Sequence, residues 1–373
     1  MENFDAALHF TILYCGIAAF SFFSGAFDVM PPKKKKQYLF VILLALGIIM
    51  GFRGVYVGND TVSYINRFYR LTAYSNPIDA FNSSSSEAGY VLYSWILYQI
   101  YPNARILFVV TAIIVCVSYG YFVYKYCQNP GIFCCLFVGI LLFDFALSAV
   151  RQSLAMAILL FAFDAMMEKK VVRYFLLTIL AVSFHNAAVV FLLIYPIFFY
   201  IENQGKYKAI SIAGLILIVC IFIYNYDSFI HILLRVFPKY EYYLGGTYLD
   251  GEPRLAIILK IAVYALLLLV PKFFRNADGT SSRLDSAATF FAVTNMLFLV
   301  AATRTTLLMR ITTSFLPVCI LQFANSVQKF SSKNRIILIV LTCIAFYAYG
   351  LTIVVLRTPD WQTTYPIDLS WLI

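Results

Sequence analysis

The sequence predicts an all-α polytopic membrane protein of about twelve transmembrane helices. Three observations predict it. Apolar residues make up 62% of the chain and charged residues only 12%, half the charge of an ordinary soluble domain. Mean hydropathy is +0.82, and a soluble core cannot hide that much apolar surface. The apolar residues also come in runs of about 20, the length of helix that crosses a bilayer. Secreted enzymes, nucleic-acid binders and disordered chains are excluded. The net charge of +10 becomes a question of where the positive charges sit around a membrane.

The elements follow in order. A first span at 7–27 has no basic residue before its apolar run, so it reads as a retained helix rather than a cleaved signal. A second, 38–56, follows Lys33 to Lys36. An external loop at 57–87 leads to residues 88–101, which are too short for a comfortable span and read as a short helix with Ser83 to Ser86 as an N-cap. Spans at 105–124, 131–149 and 151–167 come next. The stretch 174–200 is too long for one crossing and is interrupted by His185–Asn186, so it reads as two short helices, 174–184 and 187–201, meeting near one face. Spans at 208–226, 255–271, 286–303, 308–326 and 336–356 complete the chain, with an external loop at 227–254. No internal repeat or linker stands out, so residues 1–373 read as a single integral membrane domain. The eight cysteines lie in or at the ends of apolar runs without metal-ligand spacing, and read as packing residues.

Lysine sets the orientation. Twelve of the 14 lysines fall in loops on one side, which the positive-inside rule makes cytoplasmic. Arginine does the opposite, with 10 of 14 on the external side. The planar guanidinium fork matches phosphate oxygens and keeps its charge when partly dehydrated. An external arginine cluster therefore points to an anionic ligand at that face. Headgroup snorkelling accounts for Arg105 and Arg357. It accounts less well for Arg151, set between two apolar runs, and for Arg304 and Arg310, six residues apart in TRTTLLMR.

Four patches carry candidate chemistry. FRGVYVGNDTVSYINRFYR (52–70) contributes Arg53, Asp60 and Tyr64, Glu87 opens the short helix, Arg151 sits in LSAVRQSLAMAI, and His185 sits in SFHNAAVV at a helix break. The external loop 227–254, which includes Tyr243, is a candidate sugar-binding segment. No HExxH, Walker or GxSxG motif is present. Asp60 and Glu87 would hold a metal only weakly, so neither a metal nor a cofactor is expected. His185, Asp60 and Glu87 are the candidate general bases. Arg151, Arg310, Arg53 and Arg304 are the candidate anion ligands.

The motifs FRGVYVGNDTVSY, EAGYVLYSWIL, VRQSLAMAILLFA and EKKVVRYFLLTILAVSFHNAAVVFLLIYPI resemble, in order and spacing, those of the EpsG-like, Wzy-type family of bacterial polysaccharide polymerases. The resemblance covers roughly residues 50–200. The second half matches in character only, with its external loop, Arg304, Arg310 and Tyr365–Pro366. The resemblance implies a fold like that of the polytopic type C glycosyltransferases. It implies polymerisation of repeat units linked to undecaprenyl diphosphate at the periplasmic face of the bacterial inner membrane, and the transfer is expected to be inverting and metal-independent. Donor and acceptor would both be glycans on that carrier, the other partners would be membrane lipids and a chain-length regulator, and no nucleic acid is involved. Products would be O-antigen, capsule or exopolysaccharide. The competing readings are an O-antigen ligase, which usually has one large external loop, and a flippase for the same lipid, which should show internal repeats.

Overall fold

The computed structural model describes residues 2–203, 255–273, 282–304, 308–358 and 363–370, with isolated positions between 210 and 225. Every regular element among them is helical. The chain forms two compact units, Met1–Val189 with Ala324–Ile373, and Val190–Phe323.

The first unit holds α1 (Glu2–Ser24), α2 (Pro32–Phe52), α3 (Thr61–Thr72), α4 (Pro77–Asn82), α5 (Ala88–Ile100), α6 (Arg105–Tyr126), α7 (Pro130–Gly139), α8 (Leu142–Ser148), α9 (Val150–Met167) and α10 (Val171–Phe184). A 3-10 turn follows at Asn186–Val190. Helices α11 (Phe191–Asn203), α12 (Leu255–Phe273), α13 (Arg283–Ala301) and most of α14 (Leu308–Val327) form the second unit, and α15 (Ser332–Arg357) returns to the first. Seven helices among the described residues are long and apolar enough to cross a membrane, or eight if the bent pair α7 and α8 counts as one span. The protein is a multi-pass membrane protein. The expected span 208–226 and loop 227–254 lie mostly or wholly outside the described residues.

The first unit is built around α9. In its apolar window 78% of residues are buried, against 17% for α15, which turns its apolar surface outward. Helices α2 and α6 pack closely and antiparallel because glycines face the contact. A Cβ added at Gly51 would meet Val109 Cα at 3.3 Å. Gly47, four residues earlier, faces Cys116 on the same contact. This spacing of small residues lets backbones approach in lipid.

Antiparallel packing gives this unit two chemically different ends. At one end Lys35 donates to the Tyr124 carbonyl at 2.8 Å, joining α2 to the end of α6. Beside it Lys125 pairs with Asp164 at 2.5 Å and with Glu168 at 2.7 Å, joining α6 to α9. The Lys125 and Lys170 ammonium groups hold the Glu168 carboxylate down at about 2. At the other end lie Arg53, Glu87, Arg151 and His185.

Two expectations are corrected. Residues 131–149 are not one straight span, because α7 and α8 meet at a 57° bend. Leu141 sits there at φ 61, a left-handed conformation usually given to glycine, so the sequence carries no break signal. The 174–200 stretch does break at His185, but a 3-10 turn delays the second helix to Phe191.

The C-terminal segment closes over the arginine end. The Thr363 carbonyl accepts from Gly58 N at 3.1 Å, and the Asp368 carbonyl accepts from Gly54 N at 2.7 Å. Ile367 N donates to His9 Nδ1 at 2.9 Å, and Tyr365 packs edge-on against Phe10 at 5.5 Å. In the second unit Phe191 stacks on Phe315 at 4.8 Å, with Phe291 edge-on at 5.4 Å.

Candidate active site

Four helix ends converge in the first unit. Arg151 is the second residue of α9, and the 7-residue α8 delivers the chain to it at this end. Glu87 is the N-cap of α5 at φ −65, ψ 143, but its side chain caps nothing. The serine cap expected from Ser83 to Ser86 is therefore absent, and the carboxylate turns toward α9 instead. His185 is the extended C-cap of α10 (φ −156, ψ 123). Tyr64 and Arg67 lie three residues apart on α3, hence on one face.

Glu87 is the hub. Its Oε2 lies 2.5 Å from Arg151 Nη1, and its Oε1 lies 3.5 Å from His185 Nδ1 and accepts from Asn186 N at 3.3 Å. Side-chain exposure is 20% for Arg151, 8% for Glu87 and 11% for His185, so water competes little for these contacts. Burial raises the Glu87 carboxyl, but His185 and the Arg151 charge outweigh it and hold the group at about 2. The His185 Nδ1 and Arg151 Nε atoms are buried without a hydrogen-bond partner among the described residues.

Aromatic side chains floor the cluster. The Arg151 guanidinium lies 5.9 Å from the Tyr90 ring centroid, and Tyr64 meets Tyr90 edge-on at 5.9 Å. The Arg151 backbone N–H donates to Tyr64 Oη at 3.5 Å. Arg67 Nη1 donates to Ser86 Oγ at 3.0 Å, beside Glu87. Gly89 makes the arrangement possible. A Cβ there would meet the Ser183 carbonyl oxygen at 2.8 Å, so only glycine lets α5 approach α10 closely enough to bring Glu87 to His185.

The structure thus brings together Arg151, Glu87, His185 and Tyr64. It treats Arg53 differently from the ligand role expected. Arg53 is 0% exposed. Its donors serve the Leu147 carbonyl at 2.8 Å, Val57 O at 3.2 Å, Thr61 Oγ1 at 3.3 Å and the Met50 carbonyl, and its guanidinium lies 4.2 Å from the Phe108 ring centroid. A guanidinium enclosed by protein acceptors joins α2 to the α8 end rather than reaching a ligand. Asp60 is exposed at the N-cap of α3. Arg304, just after α13, and Arg310, in the first turn of α14, are exposed residues of the second unit. Tyr243 lies outside the described residues.

Sequence reasoning did not single out Arg67, Tyr90 or Gly89, and took Asn186 only as half of the polar break with His185. A signal existed for two of them. Arg67 follows Tyr64 by three residues and Tyr90 follows Glu87 by three, the spacing of neighbours on one helix face. Among the described residues no three His, Cys, Asp or Glu side chains group as a metal site requires.

Compared with known proteins, residues 36–368 match the model of the EpsG family. No curated protein and no solved structure matches the chain.

Proposed function

The chain belongs to the EpsG family, and from that premise we propose that it polymerises oligosaccharide repeat units carried on undecaprenyl diphosphate. The growing glycan passes from its carrier lipid to an acceptor unit on the same carrier, at the periplasmic face of the bacterial inner membrane. One observation carries this reading: a mostly buried Arg151–Glu87–His185 cluster at the end of the helices opposite the lysines. The positive-inside rule sets the lysine end in the cytoplasm and the cluster on the other side.

In this scheme an acceptor hydroxyl attacks the anomeric carbon of the donor. The bond from that carbon to the diphosphate oxygen breaks, and the carrier leaves with the electron pair. Attack opposite the leaving group inverts the anomeric centre. Arg151 takes up the charge that develops on the diphosphate, in a site where water cannot screen it. Glu87, kept ionised, fixes Arg151 and turns the Nδ1 edge of His185 toward itself. The Nε2 atom of His185 is left to receive the hydroxyl proton. The 3.5 Å gap from His185 to Glu87 tightens as substrate fills the site, as catalytic contacts commonly do.

Complementation of polymerase-deficient cells tests the proposal. Expression of the chain restores long glycan ladders. Arg151→Ala gives a protein that still inserts but builds no ladder, and His185→Ala lowers elongation by roughly 100-fold or more. Single repeats joined to the lipid A core would instead identify a ligase, and restored export alone would identify a flippase.

A further inference from the structure

We infer that the groove between α2 and α6 binds an anionic phospholipid of the cytoplasmic leaflet, with its phosphate at Lys36 and an acyl chain along the groove. The groove shares no lining residue with the Arg151–Glu87–His185 cluster, so the inference stands whichever reaction that cluster performs.

The groove follows from the small residues that bring the two helices together. Gly47, Gly51 and Gly120 line it, at positions where a larger side chain would fill the space. A Cβ at Gly120 would meet Leu43 Cδ1 at 2.8 Å. Leu44 and Ile48 of α2 and Val117 of α6 stand exposed along its sides. The cavity measures about 720 Å³, within the roughly 300–1,000 Å³ of small-molecule sites. From Leu39 to Phe52 its α2 wall advances thirteen residues, or about 20 Å. That exceeds the roughly 15 Å of hydrocarbon in one leaflet, so an extended acyl chain finds apolar wall along its whole length.

Charge is confined to one mouth. Among the described residues Lys36 is the one charged side chain lining the groove, and the other end is formed by Phe52 and Val109. The matching ligand is charged at one end and apolar for the rest. The neighbouring lysines have separate roles. Lys35 donates to the Tyr124 and Cys127 carbonyls at the end of α6 and is spent on the protein. Lys33, Lys34 and Lys36 are exposed, the first turn of α2 holds no acid, and none of the three forms an ion pair among the described residues. Three uncompensated cations therefore stand beside an apolar channel. The positive-inside rule puts this end at the cytoplasmic face, where juxtamembrane lysines attract anionic lipid. Tyr121 and Tyr124 line the same end, the headgroup level that tyrosine favours. A polyprenyl phosphate presents the same phosphate, but its much longer chain would run past the Phe52 end of the groove.

The test uses the purified full chain in neutral detergent micelles, with phosphatidylglycerol, phosphatidylcholine and a polyprenyl monophosphate as probes. The wild type binds phosphatidylglycerol at least about fivefold more tightly than phosphatidylcholine, the scale of one lysine at a membrane surface. Lys36→Gln removes most of that preference and leaves phosphatidylcholine binding unchanged. Leu44→Trp fills the groove without changing any charge and weakens both phospholipids by about tenfold, as losing two buried methylenes would. Val117→Trp does the same from the α6 side and stands in if Leu44→Trp does not fold. An unchanged preference in Lys36→Gln overturns the inference. So does full affinity in a folded tryptophan variant, which would mean that the lysines draw headgroups without a groove. Equal binding of the two phospholipids by the wild type also overturns it. Tighter binding of polyprenyl monophosphate than of phosphatidylglycerol overturns it by giving the groove to a carrier lipid.

Discussion

At the scale of single residues, Glu87 ties the site together and sets its pH behaviour. Its carboxyl falls from the usual 4.5 to about 2 in the folded chain. A depressed carboxylate stabilises the fold fully above its unfolded value and loses that contribution as pH falls through the folded one. The pairing with Arg151 and His185 is therefore intact at neutral pH and disappears between about pH 4.5 and 2. Glu87→Gln lowers the melting temperature at pH 7, by roughly 1–3 kcal/mol of stability, and the difference from wild type vanishes as the pH of the melts approaches 2. A constant difference across that window would mean that the carboxylate charge is not what holds the cluster. The sequence revealed Arg151 and His185 because each interrupts an apolar run, where a charged or titrating group needs a reason. It misled at Arg53 for a physical cause. Three of the Arg53 acceptors are the backbone carbonyls of Met50, Val57 and Leu147, a property of every residue that no side-chain pattern records.

At the scale of elements, short helices make the site. Helix α5 has 13 residues and α10 has 14, about 20 Å each at 1.5 Å per residue, which is less than a bilayer core. Their ends stop at the site instead of passing it, and Gly89 fixes how closely they meet. Gly89→Ala drives a methyl group toward the Ser183 carbonyl, costs about 1–3 kcal/mol in overpacking, and separates Glu87 from His185. Ladder length in complemented cells falls although no catalytic side chain has changed, and wild-type ladders would show that the α5–α10 spacing is irrelevant to elongation. The short helix at 88–101 and the break at His185 were legible because length and polarity signal them directly. The bend between α7 and α8 was not, since it turns on a leucine that takes a glycine-like conformation under tertiary packing alone.

At the scale of the whole molecule, the two ends of the first unit differ in charge chemistry, and lysine placement alone foretold that difference. The role of the C-terminal segment was not foreseeable. Residues 363–368 bind backbone to backbone at Gly54 and Gly58, and also reach His9, contacts that depend on chain tracing rather than composition. They hold down the loop that leads into α3, which carries Tyr64 and Arg67. Removing residues 363–373 lowers the melting temperature by several degrees and reduces elongation, and a truncated chain with normal ladders and normal melting would refute that role. Helix α9 carries a further consequence. It is fastened to α5 through Arg151 near its start and to α6 through Asp164 near its finish, thirteen residues or about 20 Å apart. A rod pinned by opposite charges at both tips is held along its axis, so the depth at which its guanidinium sits near one membrane face is gauged from the opposite one.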